Sequence, residues 1–346
     1  MFPAQTTDQS GAGRPRAVAV PSGAGSGPAV SSRREPARSR LRAQFAADQA
    51  APGRRGLQLC LGLCWLLDAA LQYQPFMFRP AFVTTIIEPA ASGSPGFVTA
   101  TVGWASQLML HQVALSNAAF ATIQLLIAAG LFCRRTVRPA LVLSVGWALS
   151  VWWLGESLGG ILTGLSPLAG VPGAALLYAL IAVLVWPSPP APSGQPVSVA
   201  AAGPGGPAAA KIAWLVLWGG FAHYLLLPAS RAPGAVGQLL SDTDGQPGWL
   251  TAVMSGLARA ADHRGLEISV VLAILCAGLA LAVLAEPLVR PAVVLAVALG
   301  MVLFVAQGLG GVLTGQGTDP GSGPLLILLA ACYLPRSSRQ AAPRLT

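Results

Sequence analysis

Residues 113–133 read VALSNAAFATIQLLIAAGLFC. No charged side chain interrupts them. A helix needs roughly 20 apolar residues to span about 30 Å of hydrocarbon, so this stretch is long enough to cross a bilayer. Seven more apolar runs share the chain. LQLCLGLCWLLDAALQY (57–73) precedes it; 139–164, GAALLYALIAVLVW (173–186), 212–227, 268–285, 292–314 and 323–334 follow. The fourth and eighth runs are short. The expected fold is an all-α membrane protein with eight transmembrane helices.

Composition points the same way. Of 346 residues, 54% are hydrophobic and 10% charged, where a soluble domain carries about 25% charged residues. Mean hydropathy is +0.63. The net charge of +9 does not read as a nucleic-acid surface, because nine of the 21 basic residues lie before residue 56 with Phe45 the only aromatic residue interleaved among them. That segment, 1–56, is rich in Gly, Ser, Pro, Ala and Arg without an apolar period and reads as disordered. Arg33-Arg34 lies more than 20 residues before the first apolar run, so that run reads as an uncleaved anchor rather than a twin-arginine signal. Heavy Ala, Gly, Pro and Arg use, with Lys211 the only lysine, suggests a GC-rich bacterial genome.

Basic residues orient the chain, since cytoplasmic loops carry the excess of Lys and Arg. With the N-terminus inside and eight crossings, 17 of the 21 basic residues fall inside. Outside fall only Arg79, Arg231, Arg259 and Arg264. Both termini are expected in the cytoplasm.

The two halves also match. PGFVTA (95–100) aligns with PGWLTA (247–252) at an offset of 152, as do His111 with His263 and Arg138-Pro139 with Arg290-Pro291. LGGILTG (158–164) aligns with LGGVLTG (309–315) at 151. Trp65 to Pro75 repeats as Trp218 to Pro228. The expected architecture is a tandem parallel duplication of a four-helix unit, of a kind some transporters use. Its segments are the basic cytoplasmic 1–56, repeat 57–187, a Pro/Gly/Ala-rich cytoplasmic linker 188–211, repeat 212–335, and a basic cytoplasmic tail 336–346. The loop after the first helix carries a short interfacial helix around 96–110, with Trp104, Phe76 and Phe78 suited to the aromatic belt.

Intramembrane ionisable groups need partners or a role, since Asp at a helix centre costs about 2.5–3.5 kcal/mol. Asp68 lies 11 residues into the first run, about 16 Å at roughly 1.5 Å per residue. Glu156 stands near the outer end of the third helix and His111 just before the second. Asn117 and Gln124 add amides on the second helix. The reading places Asp68, His111 and Glu156 together near the outer face of repeat one. The cluster reads as a proton, ion or solute site, as a redox or quinone site, or as a polar clamp bonded to neighbouring Trp, Asn and Gln. In repeat two, Phe221 stands at the place of Asp68 and Gln307 at that of Glu156, so repeat one is the active half if either is.

Gly159, Gly160, Gly310 and Gly311 mark a second candidate. Interrupted helices at matching places in two halves point to binding sites, and the competing reading is a Gly-rich turn between helices. Cys60 and Cys64 would share a helix face, yet they read as small apolar residues, and no metal site is expected. No Walker loop, dinucleotide GxGxxG, HExxH or GxSxG elbow occurs, so nothing requires an enzyme. The expected partners are the lipid bilayer and, on the redox reading, a membrane or redox partner protein; nucleic acid is not among them.

At WLLDAALQYQPFMF (65–78) and SVWWLGESLGG (150–160) the chain resembles a group of actinobacterial polytopic integral membrane proteins with no assigned activity. The four-helix unit is also similar in outline to the DoxX-like family of small membrane subunits linked to quinone-coupled sulfur oxidation. The first resemblance implies a bacterial plasma-membrane location and no activity; the polar cluster itself reads as that of a transporter-like or accessory component. The second implies a membrane subunit of a quinone-linked oxidoreductase, with quinone as its cofactor.

Overall fold

A computed structural model describes residues 52–188 and 198–335. The disordered segment expected before residue 52, the middle of the linker and the basic tail from 336 lie outside the described residues. The rest is helical. The main helices are α1 (Pro52–Leu71), α2 (Gly96–His111), α3 (Val113–Phe132), α4 (Val137–Leu154), α5 (Ala174–Leu184), α6 (Gly206–Leu225), α7 (Ala235–Ser241), α8 (Gly248–Ala261), α9 (Gly265–Ala282), α10 (Glu286–Ala306) and α11 (Ser322–Cys332).

Four of these, α3, α4, α9 and α10, are long and apolar enough to cross a membrane. Only about a third of each is buried inside the protein. Their outer faces carry exposed Leu115, Leu126, Val142, Ile274, Leu281 and Val294. A helix apolar on its core face and its outer face alike suits lipid rather than water. The helices α1 and α6 have the same 20-residue length as α3, but Arg54, Arg55 and Asp68 in α1, and Lys211 in α6, dilute their hydropathy. At 11 residues each, α5 and α11 reach about 16 Å, half the hydrocarbon thickness.

The packing follows one order in each half. The helix α1 lies along α3, and α4 along the short α5; α6 lies along α9, and α10 along the short α11. The two short helices pack against each other, and α11 also touches α1. Both are apolar on nearly every face and largely buried, so the core runs through them. A second, smaller core sits over one end of the first half, built from Met77, Phe82, Val83, Val98, Val102 and Met109.

Three expectations shift. The first helix begins at Pro52, so Arg54 and Arg55 belong to α1 and not to the N-terminal arm. Helix ends leave backbone carbonyls unpaired, and cationic side chains can satisfy them. Arg55 donates to the carbonyls of Leu131 (2.8 Å) and Phe132 (2.7 Å) at the end of α3. Buried Arg54 donates to Ala202 O (3.0 Å), and Gln58 to Val185 O (3.0 Å) at the end of α5. The linker shortens likewise, because α6 starts at Gly206 rather than 212. In the segment between α1 and α3, α2 forms at 96–111 with Phe97, Trp104 and Leu108 exposed, whereas Phe76 and Phe78 pack against the smaller core instead of standing exposed.

Candidate functional site

Both Gly-rich segments are left-handed turns. After α4, Ser157, Leu158, Gly159 and Gly160 take φ of 50°, 60°, 60° and 72°. After α10, Gly308, Leu309, Gly310 and Gly311 take 60°, 56°, 66° and 68°. Each turn reverses the chain onto the start of the next short helix. A Cβ on Gly159 would collide with the carbonyl of Pro172, and one on Gly310 with that of Pro320. The geometry is that of a turn joining helices.

The reversal lays a polar side chain on each short helix. The first N–H groups of a helix lack intrahelical partners and carry partial positive charge. The Glu156 carboxylate accepts from the Ala175 N–H at 3.0 and 3.3 Å, at the start of α5. In the other half, Gln307 Oε1 accepts from the Ser322 N–H (3.3 Å) and hydroxyl (3.0 Å), at the start of α11. Asp319 adds to that second start, accepting from the Gly321 N–H (2.7 Å) and the Thr318 hydroxyl (2.8 Å).

Asp68 occupies the last turn of α1. Because the helix starts at Pro52, the residue lies about 24 Å along it and close to its C-terminal end. Its side chain is buried, and Oδ1 accepts from the Tyr178 hydroxyl of α5 at 2.9 Å. The Trp65 ring stacks on Tyr178 with centroids 4.2 Å apart and donates its Nε1–H to Ser144 Oγ (2.9 Å), which fixes the phenol's position. Glu156 and Asp68 thus bond about one turn apart on α5, at Ala175 and Tyr178, and Asp319 holds the turn that opens α11, the helix packed on α5. Three carboxyls therefore serve two touching helices, two from the first half and one from the second.

His111 does not join them. It closes α2, a helix outside the bundle, and its exposed ring turns back to Gln107 O on its own helix, 2.6 Å from Nδ1. Asn117 is buried beside the cluster, donating from Nδ2 to Gln72 O (2.7 Å) at the end of α1. Gln124 is buried two turns further along α3. The donors to Asp68 and Glu156 are a tyrosine hydroxyl and a backbone N–H, not the Trp, Asn and Gln side chains expected of a clamp. Among the described residues, no three His, Cys, Asp or Glu side chains converge in metal-binding geometry.

Tyr178 and Asp319 are members that the sequence reading passed over. Tyr178 is the one hydroxyl in the apolar run 173–186, and that was its available signal. Asp319 offers less: Asp-Pro-Gly stands where the first half has Val171-Pro172-Gly173, so repeat matching gives it no acidic counterpart. Comparison with family models, with curated proteins and with solved structures finds no match for this chain.

Proposed function

We propose that this chain is a bacterial plasma-membrane protein that crosses the bilayer eight times as a tandem duplication of a four-helix unit, with both termini in the cytoplasm. The short helices α5 and α11 complete their crossings through the left-handed turns and the segments that follow. In this reading the protein is transporter-like, and its carboxyl cluster takes up and releases a proton as a small solute moves. One observation carries the reading: three carboxyls from the two halves serve the touching helices α5 and α11, and among the described residues their partners are hydroxyls and backbone N–H groups, not cations. Such groups exchange protons with their surroundings more readily than carboxylates locked in ion pairs.

Proteoliposomes loaded with a pH-sensitive dye test this. An imposed solute gradient should drive proton movement in the native protein and none in Asp68→Asn. Glu156→Gln should keep most of the flux, because Gln307 holds the start of α11 by the same kind of bond. Equal flux in native protein and Asp68→Asn would remove the proposal.

The orientation has its own test. Cys133 is exposed between α3 and α4. Hydrogen bonds from the Arg135 backbone N–H and the Thr136 hydroxyl hold its thiol below the ordinary range, so the reactive thiolate is enriched at neutral pH. In a variant keeping only this cysteine, a membrane-impermeant maleimide should label inside-out vesicles and spare intact cells. The opposite pattern would invert the topology.

A second reading, a DoxX-like membrane subunit of a quinone-linked oxidoreductase, draws support from a wholly apolar groove lined by Leu63, Cys64 and Leu67 of α1 and by Leu309, Val312 and Pro320. Solvent extraction of the purified protein should then release stoichiometric quinone, and an extract free of quinone would count against this reading.

A further inference from the structure

Two buried amide oxygens beside Asp68, Gln72 Oε1 and Asn117 Oδ1, have no hydrogen-bond donor among the described residues. Gln72 lies one turn beyond Asp68 on the same buried face. Its N–H donates to the Asp68 carbonyl at 3.0 Å, so the helical course of α1 continues through it. Asn117 of α3 donates from Nδ2 to the Gln72 carbonyl at 2.7 Å. That bond fixes which way the Asn117 amide lies, because a carbonyl only accepts. Its oxygen is therefore left over at the end of α1. Gln72 is 5% exposed and Asn117 0%, and an acceptor buried so far without a donor is costly.

The second half shows that the fold does not require these groups. There α6 packs along α9 as α1 packs along α3. By the matching offsets, Phe221 stands for Asp68 and Leu225 for Gln72, and both are buried. Ser269 stands for Asn117, and its hydroxyl donates to Ser230 O at 2.6 Å, so it is satisfied within the chain. The same seam thus closes with no acid and no orphaned acceptor at these places. The acid and the two orphaned oxygens occur together in one half and are missing together from the other.

We propose that Asp68, Gln72 Oε1 and Asn117 Oδ1 bind one alkali-metal cation at the C-terminal end of α1. The donor set selects the class of ligand: a carboxylate and two amide carbonyls are oxygens only, which suits a hard cation. A helix C-terminus carries partial negative charge, and such ends hold Na+ in membrane transporters. Charge selects a monovalent ion. Glu156 and Asp319 are committed to N–H groups at the starts of α5 and α11, which leaves Asp68 as the one carboxylate here, and a divalent ion would keep an unbalanced buried charge. Water would complete the amides but supply no counter-charge to Asp68. The ion binds as the Asp68 proton leaves to water, so charge balances. The site goes beyond the proton-handling reading above and stands without it; where both hold, ion and proton compete for Asp68.

Purified full-length protein in phosphatidylcholine nanodiscs, titrated with radioactive sodium and separately with radioactive rubidium in place of potassium, tests this without a gradient. At least one of the two should bind saturably at one ion per chain, be displaced by the unlabelled ion and by acid, and ignore choline. Gln72→Leu and Asn117→Ser install what the second half holds at the matching places, so both should fold, as thermal unfolding checks. Each should weaken binding about tenfold, and Asp68→Asn should abolish it. Binding left unchanged in both amide variants would overturn the proposal. Native protein that binds neither ion yet moves protons in proteoliposomes would also overturn it, leave the proton-handling reading standing, and make water the occupant. Saturable, amide-dependent ion binding by protein that moves no protons would sink the proton-linked reading and keep the site.

Discussion

Gly159→Ala should destabilise the protein by about 2–5 kcal/mol and remove most folded material from detergent extracts. An alanine held at φ of 60° costs about 1–2 kcal/mol through its Cβ. The new methyl also meets the Pro172 carbonyl, and forcing extra volume into a packed site costs a further ~1–3 kcal/mol. Gly164→Ala is the matched control. Its φ of 73° imposes the same conformational penalty, but its Cβ meets only the Leu227 methyl at 3.4 Å. Thermal unfolding followed by size-exclusion fluorescence should rank native above Gly164→Ala and that well above Gly159→Ala. Gly310→Ala should behave like Gly159→Ala, because the second turn closes on Pro320 in the same way. Two glycine variants with equal, small losses would mean that the close approach to Pro172 does not govern stability.

Much of the helix pattern was legible because hydrocarbon length and apolar composition are properties of a contiguous stretch. The run at 113–133 became α3 nearly residue for residue. Where a helix depended on contacts from distant parts of the chain, its edges were not legible. Arg54 and Arg55 looked like part of a basic arm, since nothing local shows that their guanidinium groups reach carbonyls at 131, 132 and 202. The left-handed turns were visible only as glycine pairs. Ser157, Leu158 and Leu309 also adopt positive φ, and no propensity would assign that to a leucine.

The candidate site divides along the same line. Topology gives depth, and by depth Asp68, His111 and Glu156 belong together. It does not give the direction in which a side chain leaves its helix. Asp68 points into the bundle and Glu156 folds back onto α5, but His111 ends a helix lying outside the bundle, so equal depth brought it no closer. Tyr178 escaped notice because it meets Asp68 across 110 residues of sequence. Asp319 escaped because the comparison between halves searched for matching residues, and this acid belongs to one half alone.

That comparison supplies the sharpest test of the pair at the centre. Tyr178→Phe removes the hydroxyl that serves buried Asp68 and should cost about 1–3 kcal/mol, the usual result of stranding a buried acceptor. Asp68→Phe strands the phenol instead and should cost a similar amount. The second half holds Phe221 at the place of Asp68 and Leu326 as the fifth residue of α11, as Tyr178 is the fifth of α5; both are buried, and the half folds around them. Asp68→Phe with Tyr178→Leu installs that apolar pair in the first half. The double variant should therefore be more stable than the sum of its single changes by about 1–3 kcal/mol, as expected for residues in direct contact. Proton-linked flux should be absent from every variant lacking Asp68, however well it folds. If the stability changes simply add, the hydrogen bond between Asp68 and Tyr178 contributes nothing that the pair shares. If the stable double variant still moves protons, the carboxyl cluster is a structural device holding α1 to α5, and the transport reading must look elsewhere in the molecule.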